Sequence, residues 1–480
     1  MAENATNIRP SADQVMVDIA AYVSDFKVRS AVAFDTAHLC LLDALGCAFA
    51  ALSYPECTKL LGPVVAGTIV PNGARIPGTS YVLDPVRAAF NMTSLIRWLE
   101  YNDATWGETV SHPSDTFGTL LVVADWLSRE RLAQGKAPLL VRDVLEPAIK
   151  AYDIQGALGI ENEFRRLGFD HTILVKIATT AVVTRLLGGS REEIINALSN
   201  AWVDGQTLAT FRSKPNVGSR KSWAAGDSAS RGVMFALMAL QGEMGYPLAL
   251  TAKRWGFYDV LFKGKSLRFQ QPYGSHIIEN ILFKIPSPTA FHAQTVVEAA
   301  IKLHPLVKDR IREIRKVEIW THASAIMILD KSGPLHNPAD RDHCLQYAAA
   351  VGMLLGHLFP EDYEDKVAAD PRIDALRGKM VVREDRKYTR GYSDPKIGSN
   401  ANAICVHFAD GSSTGRVEVQ YPLGHRRRRK EGIPVLLAKF ERHVASAFSK
   451  KRAQVITALC MDRKRLAATP VNALFDLLAK

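Results

Sequence analysis

Apolar residues recur at spacings of three and four along the first half of the chain, and this periodicity predicts amphipathic α-helices. The predicted helices are residues 15–22, 30–52, 85–99, 118–129, 141–158, 171–187, 191–209 and 222–240. Ser30 is a residue type that favours the N-cap position. Gly62-Pro63 and Pro71-Asn72-Gly73 are typical of the loops that separate helices. The pattern therefore predicts a large helical domain.

The pattern changes after about residue 272. Residues 314–321, 403–408 and 415–421 alternate between apolar and polar positions, which predicts strands, and Asp410-Gly411 predicts a hairpin. Helices are predicted at 293–303 and 342–358, and again from residue 433 to the end. The predicted fold class is mainly α with an α+β second domain. We assign residues 1–271 and 425–480 to the helical domain and residues 272–424 to a smaller lid.

Composition and charge narrow the class of protein. The 480 residues are 47% hydrophobic and 23% charged, which is typical of a globular protein of about two domains. The net charge of +11 favours an anionic partner: a small polyanionic substrate, a nucleic acid or a membrane surface. No stretch interleaves aromatic residues with Lys and Arg in the way that a single-strand binder needs, and only Arg426–Lys430 resembles a nucleic-acid patch, so no nucleic-acid partner is expected.

The N-terminal segment and the cysteines predict where the protein works. Met1–Ser11 lacks the apolar core of a secretion signal, and no apolar run is long enough to span a bilayer. The six cysteines lack C-x-x-C spacing, which argues against a zinc site or an iron–sulfur cluster. We therefore expect a cytoplasmic protein without membrane partner, metal or cofactor.

A polar loop between two predicted helices is the first candidate site. Residues 103–115 contain Asp103, Thr105 and His112. Histidine titrates near neutral pH and an acid can orient it, so Asp103 and His112 are candidates for proton transfer. The competing interpretation is a plain loop whose Ser114 or Asp115 caps the next helix.

Further candidates lie at other predicted helix starts. His171 stands where the helix dipole favours the neutral imidazole, which suits a base. Residues 212–223 carry Arg212, Lys214, Arg220 and Lys221 before a helix, and this segment is the best anion site in the chain. His292 precedes another helix, where a structural role is the commoner one. Tyr347, one to two turns into a helix, has the chemistry of a proton donor.

Together these segments resemble the MmgE/PrpD family over about residues 15–477. The matching phrases are residues 35–43, 112–115, 202–206, 220–227, 255–260, 337–344 and 432–434. The resemblance implies a helical domain built from both ends of the chain, an inserted α+β lid and a homodimer. It also implies a metal-free hydro-lyase that dehydrates 2-methylcitrate, a tricarboxylate.

The resemblance also implies a cleft between the domains. It would be lined by the loop carrying Thr105 and His112, by His171, by residues 212–221 and by Tyr347 and His292. His112 or His171 would be the base, and Tyr347 or the other histidine the acid. Lys214, Arg220 and Lys221 would hold carboxylates, with Arg212 as a further cation.

Two departures from the family pattern motivate rival activities. Ala104 is an extra residue in the Asn-Asp-Thr-Trp phrase, and Ala290 replaces a glutamate before Phe291-His292. Both place a small apolar residue near the expected cleft, which would suit a 2-alkylcitrate with a longer chain. Decarboxylation of cis-aconitate and epimerisation are further alternatives, and nucleic-acid binding through Arg426–Lys430 is a remote one.

Overall fold

The computed structural model describes residues 7–394 and 396–480, and it confirms a mainly helical fold with a small sheet. The first part of the chain forms helices α1 (Gln14–Asp25), α2 (Ala31–Ala51), α3 (Pro55–Thr58), α4 (Pro85–Arg97), α5 (Ser114–Ala133), α6 (Val141–Ile160), α7 (Thr172–Leu186), α8 (Arg191–Val203), α9 (Arg220–Leu240), α10 (Phe257–Val260) and α11 (His276–Glu279). A short antiparallel pair, β1 (Ala74–Arg75) and β2 (Val82–Leu83), lies between α3 and α4.

The central part of the chain combines helices with a four-stranded sheet. Its helices are α12 (Gln294–Val307), α13 (Ala323–Leu329), α14 (Pro338–Arg341), α15 (Leu345–Leu355), α16 (Asp365–Ala368), α17 (Pro371–Arg377) and α18 (Arg386–Ser393). Its strands are β3 (Ile314–Thr321), β4 (Met380–Glu384), β5 (Asn402–Phe408) and β6 (Val417–Val419), in the order β4-β3-β5-β6. The last part forms α19 (Arg429–Ala447), α20 (Lys450–Met461), α21 (Arg463–Ala467) and α22 (Val471–Leu478).

Two hydrophobic cores define two domains. The first core takes buried residues from Met16 to Ile285 and again from Leu436 to Leu478, and we call this unit the helical domain. The second core runs from Ala290 to Val419, and we call it the inserted domain. Residues 277–285, assigned to the lid from the sequence, pack in the first core because Ile277, Ile278 and Ile281 face the helices.

Helix α9 positions one wall of the helical domain because its glycines let α4 and α7 approach closely. A Cβ on Gly226 would lie 2.6 Å from the Phe90 carbonyl oxygen in α4. A Cβ on Gly232 would lie 2.8 Å from the Thr179 side chain in α7. Side chains at the start of α9 are therefore held against α4 and against the chain entering α7.

In the inserted domain, β3 pairs antiparallel with β5 (Val317 opposite Val406) and parallel with β4 (Val317 opposite Met380). Gly411, at φ +88°, makes the tight turn after β5 that Asp410-Gly411 predicted. The edge strand β4 was not predicted, because Val381 and Val382 do not alternate with polar residues and lie half-exposed. α12 packs on β5 and β6 of the sheet, and α15 packs against α12.

The chain crosses between the domains twice, side by side. The Phe283 N–H donates to the Gly424 carbonyl oxygen at 3.2 Å, and a Cβ on Gly424 would meet the Phe283 backbone. After this crossing α19 packs on α2, and Lys439 forms a buried ion pair with Asp43 at 2.7 Å. Within the described residues, α2 is the one helix long and apolar enough to cross a membrane, and most of it is buried in this packing.

Candidate active site

A small cavity of about 100 Å³ lies where the two domains meet. The helical domain contributes Arg97, Glu100, His112, Arg165, His171 and Arg212 to its lining. The inserted domain contributes Ala290, His292, Met327, His343 and Tyr392. Titratable side chains from both domains therefore converge on one enclosed space, which is the usual setting of an active site.

The loop between α4 and α5 holds His112 rigidly. The Asp103 carboxylate accepts hydrogen bonds from the Ser114 backbone N–H (3.2 Å) and hydroxyl (2.7 Å), and from the Tyr152 hydroxyl (2.5 Å). Thr105 and Ser111 join the two sides of the loop, with Oγ atoms 3.1 Å apart. Burial raises the pKa of Asp103 to about 6. Asp103 and Thr105 thus position the loop and do not themselves line the small cavity.

His112 has one nitrogen bonded and the other turned inward. Its Nδ1 lies 2.6 Å from the Asp103 backbone carbonyl oxygen, which can only accept, so Nδ1 carries the proton. Its Nε2 lies 3.7 Å from Oε1 of Glu100. Burial, with Arg97 and Lys284 nearby, lowers the pKa of His112 well below its usual value. At neutral pH the ring is uncharged and Nε2 is free to take a proton.

His171 stands beside His112 at the residue that precedes α7. The two ring centroids are 5.1 Å apart. Nε2 of His171 is buried and has no hydrogen-bond partner among the described residues. Burial lowers the pKa of His171 to about 3, even though Asp170 opposes that shift. The loop and the helix start therefore bring together the two histidines that the sequence singled out.

A buried network of charges surrounds the pair. Glu100 accepts hydrogen bonds from Arg97 at 2.7 Å and from Lys284 at 2.5 Å. Although burial alone would raise the pKa of Glu100, Arg97 and Lys284 hold it well below its usual range. Burial lowers the pKa of Lys284 to about 8. Glu100 is therefore an anion whose charge is balanced before any ligand enters.

The network carries an excess of positive charge. Arg212 pairs with Asp170, and Lys221 pairs with Asp342 and lies 3.0 Å from Nδ1 of His343. Burial raises the pKa of Asp115 to about 8, so this neighbour of Arg97 is protonated at neutral pH. Among the groups around the buried part of the cavity, the cations Arg97, Arg165, Arg212, Lys221 and Lys284 outnumber the ionised acids Glu100, Asp170 and Asp342, which favours an anionic ligand there. The more exposed part of the lining contains Glu108 and the ion pair of Arg166 and Glu163.

Arg165 is the cavity cation with the least compensation. It is partly buried, and its guanidinium reaches the Arg212 carbonyl oxygen at 3.3 Å. It forms no salt bridge within residues 7–394 and 396–480. Burial and the neighbouring Arg212 lower its pKa. A guanidinium in this position is suited to a ligand carboxylate.

The structure places three predicted residues away from the cavity. Tyr347 is buried in the inserted core and donates to the Asp362 carbonyl oxygen at 2.7 Å. Lys214 is exposed and donates to the Asp330 carbonyl oxygen at 3.0 Å. Arg220 stacks over Trp223 and pairs with Asp227 at 3.3 Å. None of the three is part of the cavity lining.

The four basic residues of segment 212–221 therefore do not all face the cavity. Arg212 lines the cavity and Lys221 lies directly behind His343, whereas Lys214 and Arg220 point to solvent. Successive residues of an α-helix point about 100° apart, so Arg220 and Lys221 at the start of α9 cannot share a face.

His292 lines the cavity from the inserted domain, and its buried Nδ1 has no hydrogen-bond partner among the described residues. Ala290 lines the cavity too. Ala104 does not: it pairs with Leu282 through backbone hydrogen bonds and packs against Phe291 and Tyr392. Of the two departures from the family pattern, only the one at Ala290 borders the cavity.

Sequence reasoning missed Arg97, Glu100, Arg165, Lys284, His343 and Tyr392. A signal existed for Lys284, a charge between the apolar Phe283 and Ile285, and for Arg97, which ends an apolar helix. The pairing of these residues depends on tertiary packing. Among the described residues, no group of three or more His, Cys, Asp or Glu side chains has a metal-binding arrangement.

Comparison with known proteins agrees with this architecture. The model of the MmgE/PrpD N-terminal domain matches residues 17–270, and that of the MmgE/PrpD C-terminal domain matches residues 287–463. The chain therefore belongs to the MmgE/PrpD family. The matched C-terminal segment extends into α20, which packs with the helical domain in this structure.

Relatives named 2-methylcitrate dehydratase are similar over the whole length. Those of Salmonella typhi and Escherichia coli (strain K12) are 55% identical over 480 residues, covering 99% of this chain and 99% of each relative. The relative from Yarrowia lipolytica, named 2-methylcitrate dehydratase, mitochondrial, is 52% identical over 99% of this chain and 92% of its own length.

Proposed function

We propose that this protein is a hydro-lyase that dehydrates 2-methylcitrate to 2-methyl-cis-aconitate. The observation that carries the proposal is the position of His112 and His171. Both rings are uncharged at neutral pH, their centroids are 5.1 Å apart, and they line a cavity whose buried cations outnumber its buried ionised acids. A tricarboxylate supplies the negative charge that this cavity lacks. Full-length identity of 55% to proteins named 2-methylcitrate dehydratase supports the choice of substrate.

The reaction needs a base, an acid and cations for the carboxylates. We assign His112 as the base that takes the C–H proton next to a carboxylate. The electron pair of that bond forms the double bond, the neighbouring C–O bond breaks, and the departing hydroxide leaves as water after it is protonated. Glu100, 3.7 Å from Nε2 of His112, stabilises the imidazolium that forms.

We assign His171 as the acid. Its pKa is too low for it to be protonated in the empty cavity, but substrate carboxylates raise it, because nearby negative charge favours the charged imidazole. Arg165 and Arg212 hold the carboxylates, and Arg97, Lys284 and Lys221 add positive potential from behind. His292 contacts the substrate from the inserted domain.

A primary deuterium isotope effect, measured in variants of the two histidines, distinguishes the base from the acid. We expect substrate deuterated at the abstracted position to react with a larger primary isotope effect in His112→Ala, because proton removal is slowed. In His171→Ala the effect should become smaller, since C–O cleavage without its acid limits the rate more. The reverse pattern would exchange the two assignments, and unchanged effects in both variants would remove both residues from the reaction.

The substrate itself is tested with purified, chelator-treated protein. Absorbance of the new alkene is followed with 2-methylcitrate and with a hexyl-type alkylcitrate. We expect turnover of the methyl substrate after metal removal. Turnover of only the longer substrate would overturn the substrate assignment, and turnover restored only by a metal ion would overturn the metal-free chemistry.

The proposal includes a cytoplasmic homodimer. Six free buried cysteines support a reducing compartment. Apolar side chains exposed at the end of α8, in the loop that follows it and on α9, namely Val203, Leu208 and Met238, support a protein partner in this region. Light scattering coupled to size-exclusion chromatography tests the dimer, and a Val203→Lys, Leu208→Lys variant should elute as a monomer.

A further inference from the structure

A second, larger cavity lies beyond the wall formed by Trp106 and Phe291. Its volume is about 530 Å³, which falls within the roughly 300–1,000 Å³ of small-molecule sites. Thr105 faces this cavity, and Phe291 lines both cavities. The histidine pair, Glu100 and Arg165 belong only to the first one.

The charged side chains that line the second cavity are all basic. Its basic side chains are His276, Lys396, His425, Arg426 and Arg427, and no Asp or Glu is among its described lining residues. The three strong cations of this set form no salt bridge in the part of the chain that the structure describes. Burial, with Arg427, Arg429 and Arg426 close by, lowers the pKa of His425 to about 4. The lining therefore has an uncompensated positive potential.

The five basic residues of run 426–430 occupy different surroundings in the fold. Arg428 pairs with Glu298 at 2.7 Å and Arg429 donates to the Gly424 carbonyl oxygen at 2.7 Å, so both hold the domain crossing. Arg426 donates to the Asn280 side chain, and Arg427 stacks over Tyr421 at 5.1 Å. Lys430 is exposed and does not line the cavity.

We propose that this second cavity is a binding site for a small multivalent anion, distinct from the reaction cavity. Two guanidinium groups held at one rim match the paired oxygens of phosphate or carboxylate groups. Lys396 lies next to them, since the Arg427 guanidinium reaches the Lys396 carbonyl oxygen at 3.5 Å, and the Gln270 and Gln271 amides add neutral donors to the lining. The shared ligand chemistry is two or more anionic groups, as in a polyphosphate or a polycarboxylate.

The experiment is calorimetric titration of the full chain with pyrophosphate and, separately, with citrate, without substrate turnover. We expect saturable binding that weakens at least about tenfold in the Arg426→Ser, Arg427→Ser double variant. Lys430→Ser, from the same run, is the matched control and should bind as wild type. Tighter pyrophosphate binding would identify phosphate as the preferred source of charge, and tighter citrate binding a carboxylate.

The reaction cavity also attracts anions, so one variant separates the two sites. Arg165→Met should leave binding at the second cavity unchanged. If Arg165→Met abolished the titration while the Arg426, Arg427 double variant kept it, the anion would belong to the reaction cavity and the proposal would be wrong. Lys396→Glu gives an independent variant on the neighbouring segment that lines the same cavity and should also weaken binding. Saturable binding that none of these changes weakens would equally overturn the proposal, as would the absence of binding to wild type.

Discussion

Nε2 of His112 lies 3.7 Å from Oε1 of Glu100, in a part of the protein almost closed to water. At about this separation, opposite unit charges attract by about 4 kcal/mol when the effective dielectric constant is near 20. The neutral ring gains none of this energy, whereas the imidazolium formed during proton transfer does. The pair is therefore arranged to favour the transition state over the ground state.

Replacing His112 should stop turnover without unfolding the protein. We expect kcat of His112→Ala to fall at least about 100-fold, with a smaller change in KM, because a base acts in the transition state. His304→Ala is the matched control, since its Nδ1 also bonds a backbone carbonyl oxygen (Met353, 2.9 Å) but lies outside the cavity. Full turnover by His112→Ala would exclude His112 as the base.

His171 should make stability depend on pH in a definite direction. Its pKa is about 3 in the folded protein and near 6.5 in an unfolded chain, so between these values only the unfolded state binds the proton. The stability from the neutral ring is fully present above about pH 6.5 and is lost as pH falls towards 3. We expect urea unfolding of wild type to lose about 1 kcal/mol per pH unit more than His171→Gln between pH 6 and 4. Parallel curves would show that His171 is not a buried neutral imidazole.

The ion pair of Glu100 and Lys284 should be strongly coupled. Lys284→Met removes a buried cation from Glu100, and we expect it to lower the free energy of unfolding by about 3 kcal/mol. In the Glu100→Gln, Lys284→Met double variant the loss should be at least about 1 kcal/mol smaller than the sum of the single losses. The exposed pair Glu56–Lys59 is the control, with a coupling below about 1 kcal/mol. Additive losses at Glu100 and Lys284 would contradict the coupling.

Arg165 should act on substrate binding more than on chemistry. We expect Arg165→Met to raise KM for 2-methylcitrate at least about tenfold while kcat changes little, because one carboxylate loses its guanidinium partner. Arg191→Met, which breaks an exposed pair with Asp25 far from the cavity, should leave both constants unchanged. A fall in kcat at constant KM would instead place Arg165 in the chemical step.

Local sequence patterns were sufficient to predict many of the helices and strands. β3 has the predicted bounds, Ile314–Thr321, because its alternation reflects a sheet with one buried face. Ser30 caps α2 as predicted, and its Oγ accepts from the Ala33 N–H at 3.2 Å. The meeting of His112 and His171 was expected from the family resemblance. His112 is held by its loop and His171 by the start of its helix, and both of these local features are visible in the sequence.

Other parts of the site depend on contacts between distant segments. Glu100 and Lys284 are 184 positions apart, and their pairing requires the segment around Phe283, which crosses between the domains, to lie against the loop after α4. Arg220 and Lys221 are equally basic in the sequence, and only the phase of α9 turns one inward. Tyr347 carries suitable chemistry, but its helix faces the inserted core, so its hydroxyl is used in packing.

The insertion of one domain within the other has a consequence for synthesis. The residues of the inserted core, Ala290 to Val419, are contiguous and leave the ribosome together, whereas the helical core also needs Leu436 to Leu478. The central domain is therefore the first whose core is complete during translation, although it comes second in the sequence. A chain interrupted before residue 429 lacks α19 and α22 and leaves α2 and α5 uncovered, so premature termination yields a species prone to aggregation.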